Sequence, residues 1–332
     1  MSLLELKNLH TFFDTKKGVV KAVNDVSYSL EEGETLGVVG ESGSGKSVSA
    51  MSIIRLLDGN GRIDSGEIYF DGRNIRECTD KEMYQIRGNE ISVIFQEPMT
   101  SLNPVFTIER QIGEVFITHQ GMKKKEAYRK AVAMLDQVKI PNPERVAKQY
   151  PFQLSGGMRQ RVMIAMALAC EPDILIADEP TTALDVTIQA QILELMQDLQ
   201  KTLGMAIIMV THDLGVIADM CDKIIVMYGG SICERGTAED IFYSPSHEYT
   251  KGLLRSIPKV DSSKKRLIPI GGTPINLLNM PKGCAFCTRC DNAMKICLDQ
   301  KPEEMELSST HKASCWMNVK RQMEEQAGGK EA

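Results

Sequence analysis

The order of apolar and polar positions predicts sheet structure near the start of the chain. Residues 3–6 and 22–30 alternate between apolar and polar side chains, which is the pattern of half-buried antiparallel strands. Residues 36–39 are wholly apolar, as expected for a strand in the middle of a covered sheet. Residues 91–95 form a further candidate strand.

Helical spacing dominates the middle of the chain. Apolar residues recur three and four positions apart through much of residues 97–165. Two short apolar strands, 174–177 and 206–210, then flank a helix whose apolar residues form one stripe over 188–203. Alternation of strand, helix and strand predicts a parallel sheet with helices packed on it, so the fold class is α/β.

Composition and charge narrow the functional classes. The 332 residues are 42% hydrophobic and 25% charged, as in globular proteins. A net charge of −5 argues against nucleic acid as the main partner, because a phosphate-binding surface needs a basic excess. No apolar run approaches the roughly 20 residues that span a bilayer, and the first residues lack a signal-peptide pattern. We therefore expect a cytosolic protein whose nine cysteines are reduced or bound to metal.

Composition changes near residue 258. Serine, lysine, proline and glycine are dense over residues 259–273, and five of the nine cysteines fall within residues 284–315. This change predicts a main domain at 1–258 and a small Cys-rich C-terminal module at 259–332.

A glycine-rich segment after the apolar strand predicts a phosphate site. Gly40-Glu41-Ser42-Gly43-Ser44-Gly45-Lys46-Ser47 fits the pattern G-x-x-x-x-G-K-[ST]. Glycines let backbone N–H groups curl around phosphate oxygens, and the helix that follows adds its positive N-terminal end. We expect Lys46 to reach the β- and γ-phosphates of a nucleotide and Ser47 to coordinate Mg²⁺. The alternative is an ordinary glycine-rich turn, which the strand before it and the helix after it disfavour.

A second motif, Ile174–Glu179, ends an apolar strand with two carboxylates. In open α/β sheets, ligands bind at the carboxyl ends of the strands. Asp178 would hold Mg²⁺, directly or through water, and Glu179 would polarise the attacking water. Such a strand is common by itself, but together with the glycine-rich segment it indicates nucleotide hydrolysis.

The segment Leu154–Gln160, with the sequence LSGGMRQ, resembles the signature motif of ABC-type ATPases. The three motifs follow one another in that family's order, and the resemblance spans roughly residues 3–258. It implies a P-loop ATPase core with an antiparallel β-subdomain and an α-helical signature subdomain at about residues 97–165. It also implies ATP and Mg²⁺ as ligands.

Single residues outside these motifs also match the family. Gln96 resembles the Q-loop glutamine, which implies a catalytic role and a place among the Mg²⁺ ligands beside Ser47 and Asp178. His212 resembles the switch histidine, which implies a catalytic role. Asp185 resembles the D-loop aspartate, although it could simply cap the next helix. Phe13 resembles the aromatic residue that stacks on adenine, with Phe12 as the alternative. Each residue taken alone has a purely structural interpretation, and only their joint order favours the functional one.

The resemblance implies how these parts work together. Two ATP molecules would be sandwiched between two head-to-tail domains, with Ser155-Gly156-Gly157 of one domain facing the γ-phosphate bound by the other. Lys46, His212 and Mg²⁺ would neutralise that phosphate while Glu179 orients water. Closure on ATP and opening after hydrolysis would drive a transporter.

The C-terminal cysteines indicate a soft-metal site. Residues 271–315 resemble the C-terminal extension of oligopeptide/dipeptide importer ATPases, some of which hold a [4Fe–4S] cluster on four thiolates. Cys287 departs from the family's pattern and would be a substitute ligand or a free thiol. Zinc on four thiolates and reduced thiols without metal are the alternatives. The ligands that the resemblance implies are Cys284, Cys290, Cys297 and Cys315.

The resemblance thus implies an ATPase subunit that energises an importer of oligopeptides or dipeptides. It would lie on the cytoplasmic side of the membrane with a second homologous ATPase, in a heterodimer or else a homodimer. Two transmembrane permease subunits and an extracytoplasmic binding protein would complete the system. Import of nickel or another small solute is the alternative. A soluble ABC ATPase that acts on DNA or ribosomes is disfavoured by the single cassette and the acidic balance, and an exporter by the lack of fused membrane helices.

Overall fold

A computed structural model of the chain describes residues 2–96, 101–182, 184–257 and 269–328. The packing divides the chain into two compact units, each built from segments that are distant in sequence. The first unit comprises Met1–Leu4, Leu30–Thr35 and Phe70–Val210, and the second comprises Glu5–Ser29, Leu36–Tyr69 and Thr211–Ala332.

Strands and helices cover most of the described residues. The strands are β1 (Leu4–Thr15), β2 (Gly18–Leu30), β3 (Thr35–Val39), β4 (Gly61–Phe70), β5 (Arg73–Asn74), β6 (Ile91–Ile94), β7 (Ile174–Asp178), β8 (Ala206–Thr211), β9 (Lys223–Tyr228), β10 (Ser231–Thr237), β11 (Met305–Glu306) and β12 (Lys312–Ala313). The α-helices are α1 (Lys46–Ile53), α2 (Asp80–Ile86), α3 (Ile108–Gln120), α4 (Lys124–Gln137), α5 (Pro143–Ala147), α6 (Gly156–Ala167), α7 (Val186–Leu203), α8 (Leu214–Met220), α9 (Ala238–Tyr243), α10 (Glu248–Arg255), α11 (Ile296–Asp299) and α12 (Trp316–Gly328).

Three parallel strands form the sheet of the first unit. β6 pairs with β7, with Ile91 opposite Ile174, and β7 pairs with β8, with Ile174 opposite Ala206. Every residue of β7 and β8 is buried. This burial explains why both strands are apolar except at their last residues, Asp178 and Thr211. The parallel arrangement that the strand–helix–strand pattern predicted is confirmed.

The helices of the first unit agree with the predicted helical region. Helices α3 to α6 lie within residues 108–167, close to the range of 97–165 inferred from apolar spacing. Residues 97–100 of that range lie outside the described residues. Local sequence sets the ends of α7, because Asp185 accepts a hydrogen bond from the Ile188 N–H at 3.0 Å and Gly204 closes the helix in the left-handed region.

The second unit contains strands that the apolar pattern predicted and strands that it missed. β2, β1 and β4 are hydrogen-bonded neighbours in that order. β3 pairs with β9 in parallel, and β9 pairs with β10 in antiparallel orientation. β1, β2 and β3 were expected, although β1 runs nine residues beyond its predicted end at Leu6. β4, β9 and β10 were not expected. For β4 the reason is that its first residues are largely polar and exposed.

Within the second unit, strand pairing and buried polar contacts join the described residues from 269 onward to the segment around β10. β12 pairs with β10 and β11 pairs with β12, both in antiparallel orientation. Glu234 of β10 is fully buried, and its carboxylate accepts hydrogen bonds from the Ser246 and His247 N–H groups at 2.6 and 2.9 Å. His311 Nε2 lies 2.8 Å from the same carboxylate. The predicted boundary at residue 258 lies outside the described residues, so the division into 1–258 and 259–332 stays a prediction.

We expect Glu234→Ala to lower the free energy of unfolding by about 3 kcal/mol, because it leaves buried N–H groups and an imidazole without their acceptor. Urea unfolding followed by circular dichroism measures the change. The control is Glu306→Ala, which removes a carboxylate that is 63% exposed on β11 and should change stability by about 0.5 kcal/mol or less. Equal effects of the two substitutions would contradict the role given to Glu234.

Candidate functional site

The glycine-rich segment joins β3 to α1 in a conformation that only glycine adopts readily. The φ angles of Gly40, Gly43 and Gly45 are +152°, +77° and +101°. A Cβ on Gly40 would clash with the carbonyl oxygen of Met227, and one on Gly45 would clash with that of Ala22. A Cβ on Gly43 would meet no described atom within 4 Å, so the loop is open on that side.

Two polar side chains of this loop are buried close to its backbone. Lys46 is only 5% exposed, and its Nζ donates to the carbonyl oxygens of Gly40 at 2.6 Å and Glu41 at 3.0 Å. The Ser44 hydroxyl is buried and has no hydrogen-bond partner among the described residues. A buried ammonium and an unpaired hydroxyl within an open glycine loop are donors that a phosphate would satisfy. Ser42 is exposed, and Ser47 is half-buried in the first turn of α1.

The two candidate adenine-stacking rings lie on β1. The Phe13 ring is close to Gly61, since a Cβ on that glycine would lie 2.7 Å from the ring. Phe12 instead meets His10 edge to face, with ring centroids 6.0 Å apart, and Lys21 Nζ lies 5.7 Å from its centroid. Both rings are half-buried, and the stacking role of Phe13 stays a prediction.

The structure brings Gln96 and Glu179 together at the end of β7. Gln96 Nε2 donates to Glu179 Oε2 at 2.8 Å, and the Thr182 hydroxyl donates to the same oxygen at 2.9 Å. Glu179 has a φ of +48°, which is uncommon for a residue with a side chain, and its N–H donates to Val210 O at 2.8 Å. Asp178, the last residue of β7, is 7% exposed. Sequence reasoning named Gln96 and Glu179 but missed Thr182, whose only signal was its place three residues after the glutamate.

The signature residues form the start of α6. The Ser155 hydroxyl caps the helix by accepting from the Met158 N–H at 3.3 Å, and Ser155 and Gly156 are both exposed. A Cβ on Gly157 would lie 2.7 Å from Ile188 Cγ2, so close packing on α7 requires glycine there. A Cβ on Gly156 would have ordinary van der Waals spacing. The exposed helix start therefore presents N–H groups that favour an anion.

Asp185 and His212 follow buried strands of the sheet. Asp185 caps α7, so its simpler predicted role is confirmed, while the D-loop role stays a prediction. His212 is exposed and follows β8 directly. The next residue, Asp213, accepts from the Gly215 N–H at 2.9 Å and so starts α8. The switch role of His212 stays a prediction.

Five cysteines line one cavity of about 20 Å³ in the second unit. Burial raises the pKa of the Cys284 thiol to about 12 and that of Cys290 to about 11, and it also raises the pKa of Cys287 and Cys315. Within the described ranges, no three His, Cys, Asp or Glu side chains form a ready-made metal site. The lining of the cavity nevertheless includes the four predicted ligands and the additional cysteine. The cysteines are Cys284, Cys287, Cys290, Cys297 and Cys315.

Comparison with protein families gives two matches along the chain. A model described as "ABC transporter" matches residues 23–182. A second model, described as "Oligopeptide/dipeptide transporter, C-terminal region", matches residues 233–297. The second match includes four of the five cavity cysteines and falls short of Cys315.

Curated proteins and solved structures give the same result. The dipeptide transport ATP-binding protein DppD of Bacillus subtilis is 51% identical over 320 residues, which is 96% of each chain. The oligopeptide transport ATP-binding protein OppD of Salmonella typhimurium is 53% identical over 302 residues, or 91% of this chain and 90% of that one. The ATP-binding cassette MJ0796, in a dimeric post-hydrolysis state with ADP and Pi, superimposes with a TM-score of 0.64 at 31% identity. That match covers 71% of this chain and 98% of the cassette.

We expect Lys46→Ala to weaken Mg·ATP binding at least about tenfold, because it removes a charge-assisted donor from the phosphate loop. Equilibrium titration of the purified chain with a fluorescent ATP analogue measures the Kd. The matched control is Lys125→Ala, which removes an exposed lysine from α4 and should leave the Kd unchanged. An unchanged affinity in Lys46→Ala would contradict the assignment of the loop.

Proposed function

The chain belongs to the ABC transporter family, in the group of oligopeptide/dipeptide transport ATP-binding proteins. We propose that it hydrolyses ATP to energise the import of peptides across the cytoplasmic membrane. Hydrolysis of ATP is the activity of this family, and the motifs to which we assign it, Gly40–Ser47, Leu154–Gln160 and Ile174–Glu179, all occur in this chain. The peptide substrate is supported by the names of the relatives and by the match of the C-terminal region. Nickel or another small solute is the second candidate substrate.

The observation that carries this proposal is the position of the Glu179 carboxylate. Gln96 and Thr182 donate to one of its oxygens, so two hydrogen bonds orient the carboxylate. A general base must be held in place because it acts on a water molecule at hydrogen-bond distance. We propose that the other oxygen of Glu179 polarises the water that attacks the γ-phosphate.

The remaining residues would bind and neutralise the nucleotide. Backbone N–H groups of Gly40–Ser47 and the Lys46 ammonium would hold the β- and γ-phosphates, and His212 would contact the γ-phosphate. Ser47 and Asp178 would hold Mg²⁺, with Gln96 nearby; the ion supplies positive charge opposite the phosphate oxygens. Phe13 would stack on the adenine ring.

Hydrolysis in this proposal needs a second ATP-binding subunit. Ser155, Gly156 and Gly157 lie at an exposed helix start and would bind the γ-phosphate held by the opposing subunit, with Asp185 at the same contact. The dimeric state reported for the similar cassette supports such an arrangement. We propose a homologous partner ATPase, two permease subunits and an extracytoplasmic binding protein, with this chain peripheral to the membrane. Within the described residues, no helix is both long enough and apolar enough to span a bilayer.

We expect Glu179→Gln to leave the Kd for Mg·ATP within about threefold of the wild type and to lower steady-state hydrolysis at least about 100-fold, because the amide cannot act as a base. Phosphate release by the assembled transporter measures turnover. The control is Glu194→Gln, an exposed glutamate on α7, which should hydrolyse ATP normally. Near-normal turnover in Glu179→Gln would refute the role of this residue.

We further propose that the cysteine cavity holds a soft metal centre, with a [4Fe–4S] cluster as the first candidate and zinc as the second. The donor set fits, since cysteine sulfur is the preferred ligand of both. All five thiols are buried or half-buried around one cavity, and a bound cation would have to displace their protons. Cys287 can replace one of the other four because it faces the same cavity. The implied ligands are Cys284, Cys290, Cys297 and Cys315.

We expect the protein purified without oxygen to contain about four iron and four sulfide per chain, with a broad visible absorbance that Cys297→Ser abolishes. About one zinc per chain and no visible band would identify the alternative. The control is Cys170→Ser, because Cys170 lies in the first unit, outside the cavity. A chain with no bound metal after anaerobic purification would refute the proposal.

A further inference from the structure

A buried arginine of the cysteine-rich segment, Cys284–Cys290, forms a bidentate ion pair with a glutamate of the glycine-rich phosphate loop, Gly40–Ser47. Arg289 Nη1 lies 2.5 Å from Glu41 Oε2, and Arg289 Nη2 donates to Glu41 Oε1 at 3.0 Å. The Arg289 side chain is 3% exposed and that of Glu41 is 26% exposed. Glu41 is the second residue of the glycine-rich loop, and its carbonyl oxygen accepts from Lys46 Nζ. The pair joins positions 248 residues apart in sequence.

The guanidinium is fixed from several directions. Its Nε donates to Gly271 O at 2.9 Å, Nη2 also donates to Ile270 O at 3.4 Å, and Nη1 also donates to the Tyr228 hydroxyl at 3.3 Å. Every N–H group of the arginine therefore has an acceptor. A side chain held in this way keeps one position, so it can hold its partner carboxylate in one position too.

A tyrosine that packs against the cysteine-rich segment also holds the backbone of the loop by a hydrogen bond. The Glu41 N–H donates to the Tyr249 hydroxyl at 2.7 Å, and Tyr249 is fully buried. The Tyr249 ring packs against Tyr228 and Phe286, with centroids 4.6 and 5.3 Å away. Phe286 and Arg289 both belong to the segment between Cys284 and Cys290, so this segment contacts the loop by side chain and through its aromatic neighbours.

Charge explains why this contact matters for binding. A glutamate in a phosphate-binding loop places a negative charge near a ligand that carries several negative charges of its own. At short range such a repulsion is substantial where water is partly excluded. Paired with Arg289, the carboxylate is neutralised and turned toward the C-terminal residues, which leaves the loop's N–H groups and Lys46 to act on the phosphates.

We infer that Arg289 is a positioning residue for nucleotide binding, which neutralises Glu41 and holds the phosphate loop in its anion-accepting shape. The cysteine-rich segment then takes part in nucleotide binding and is more than an appendage to the ATPase. This inference rests on the proposed function, since it concerns the affinity of the same phosphate loop.

The test is a double-mutant cycle on the purified full-length chain, with the Kd for Mg·ADP as the readout. We expect Arg289→Gln to raise the Kd about tenfold, because it leaves the Glu41 carboxylate unpaired beside the phosphates. Arg289→Lys should raise it only about threefold, since lysine keeps the charge but not the two-pronged contact. In a Glu41→Gln background, Arg289→Gln should change the Kd less than about twofold, because the charge that it neutralises is absent.

A second ion pair gives the matched control. Arg235 of β10 pairs with Glu304, so it also joins the core strands to the C-terminal residues, with 29% and 32% exposure, but it does not touch the loop. Glu304→Gln should leave the Kd for Mg·ADP unchanged. In the assembled transporter, Arg289→Gln should raise the KM for ATP while kcat falls by less than about twofold.

Three outcomes would overturn the inference. These are an unchanged Kd in Arg289→Gln, a tenfold effect of Arg289→Gln that persists in the Glu41→Gln background, or an equal effect of Glu304→Gln. If Arg289→Gln does not fold, the cycle between Arg289→Lys and Glu41→Gln decides the question in the same way. A wild-type chain that fails to bind Mg·ADP would refute the proposed function itself, whereas normal wild-type binding with an unchanged variant refutes only the role of Arg289.

Discussion

The second unit is organised around the close approach of a glycine loop to two carbonyl oxygens. Gly40 and Gly45 pass so near to Met227 and Ala22 that a single added methyl group would clash with the backbone. Their positive φ angles are ones that glycine adopts without strain, which suits the phosphate-binding role proposed for this loop. The strand that precedes the loop, β3, is fully buried, and its last residue, Val39, lies opposite Val226 of the parallel strand β9.

The first unit meets a different demand, since it has to hold carboxylates at the tip of a buried strand. Asp178 and Glu179 follow four apolar residues of β7, and Glu179 occupies a left-handed conformation that the neighbouring β8 secures by a backbone hydrogen bond. Residues in such conformations cluster at functional sites, because the surrounding structure has to stabilise them. Gln96, at the end of the adjacent strand β6, reaches the same carboxylate across the sheet edge.

Much of this could be predicted from the sequence, because the main motifs act over a short range. A glycine pattern between a strand and a helix indicates a local loop geometry, and two acids after an apolar run become informative in combination with it. The strands β4 and β10 were missed because their mixed polarity gives no clean period. β9 was missed although its buried apolar run, Ile224–Tyr228, has the same pattern as β7 and β8 and could have predicted it. The Arg289–Glu41 pair was also out of reach: a charged residue has no sequence signal for a partner 248 positions away.

The way in which the second unit is assembled has a consequence for its synthesis on the ribosome. The first unit has all its segments once residue 210 has emerged, whereas the second combines residues 5–29 and 36–69 with residues from 211 onward. Its buried Glu234 gains the His311 contact only when translation is almost complete. Strands β1, β2 and β4 can pair with one another early, but contacts such as that of the Asn24 N–H with Gly230 O have to wait for residues beyond 211. During that interval the apolar faces that these later residues cover are open to chaperones or to unwanted association. Translation speed after residue 210 should thus influence the yield of folded protein more than speed before it.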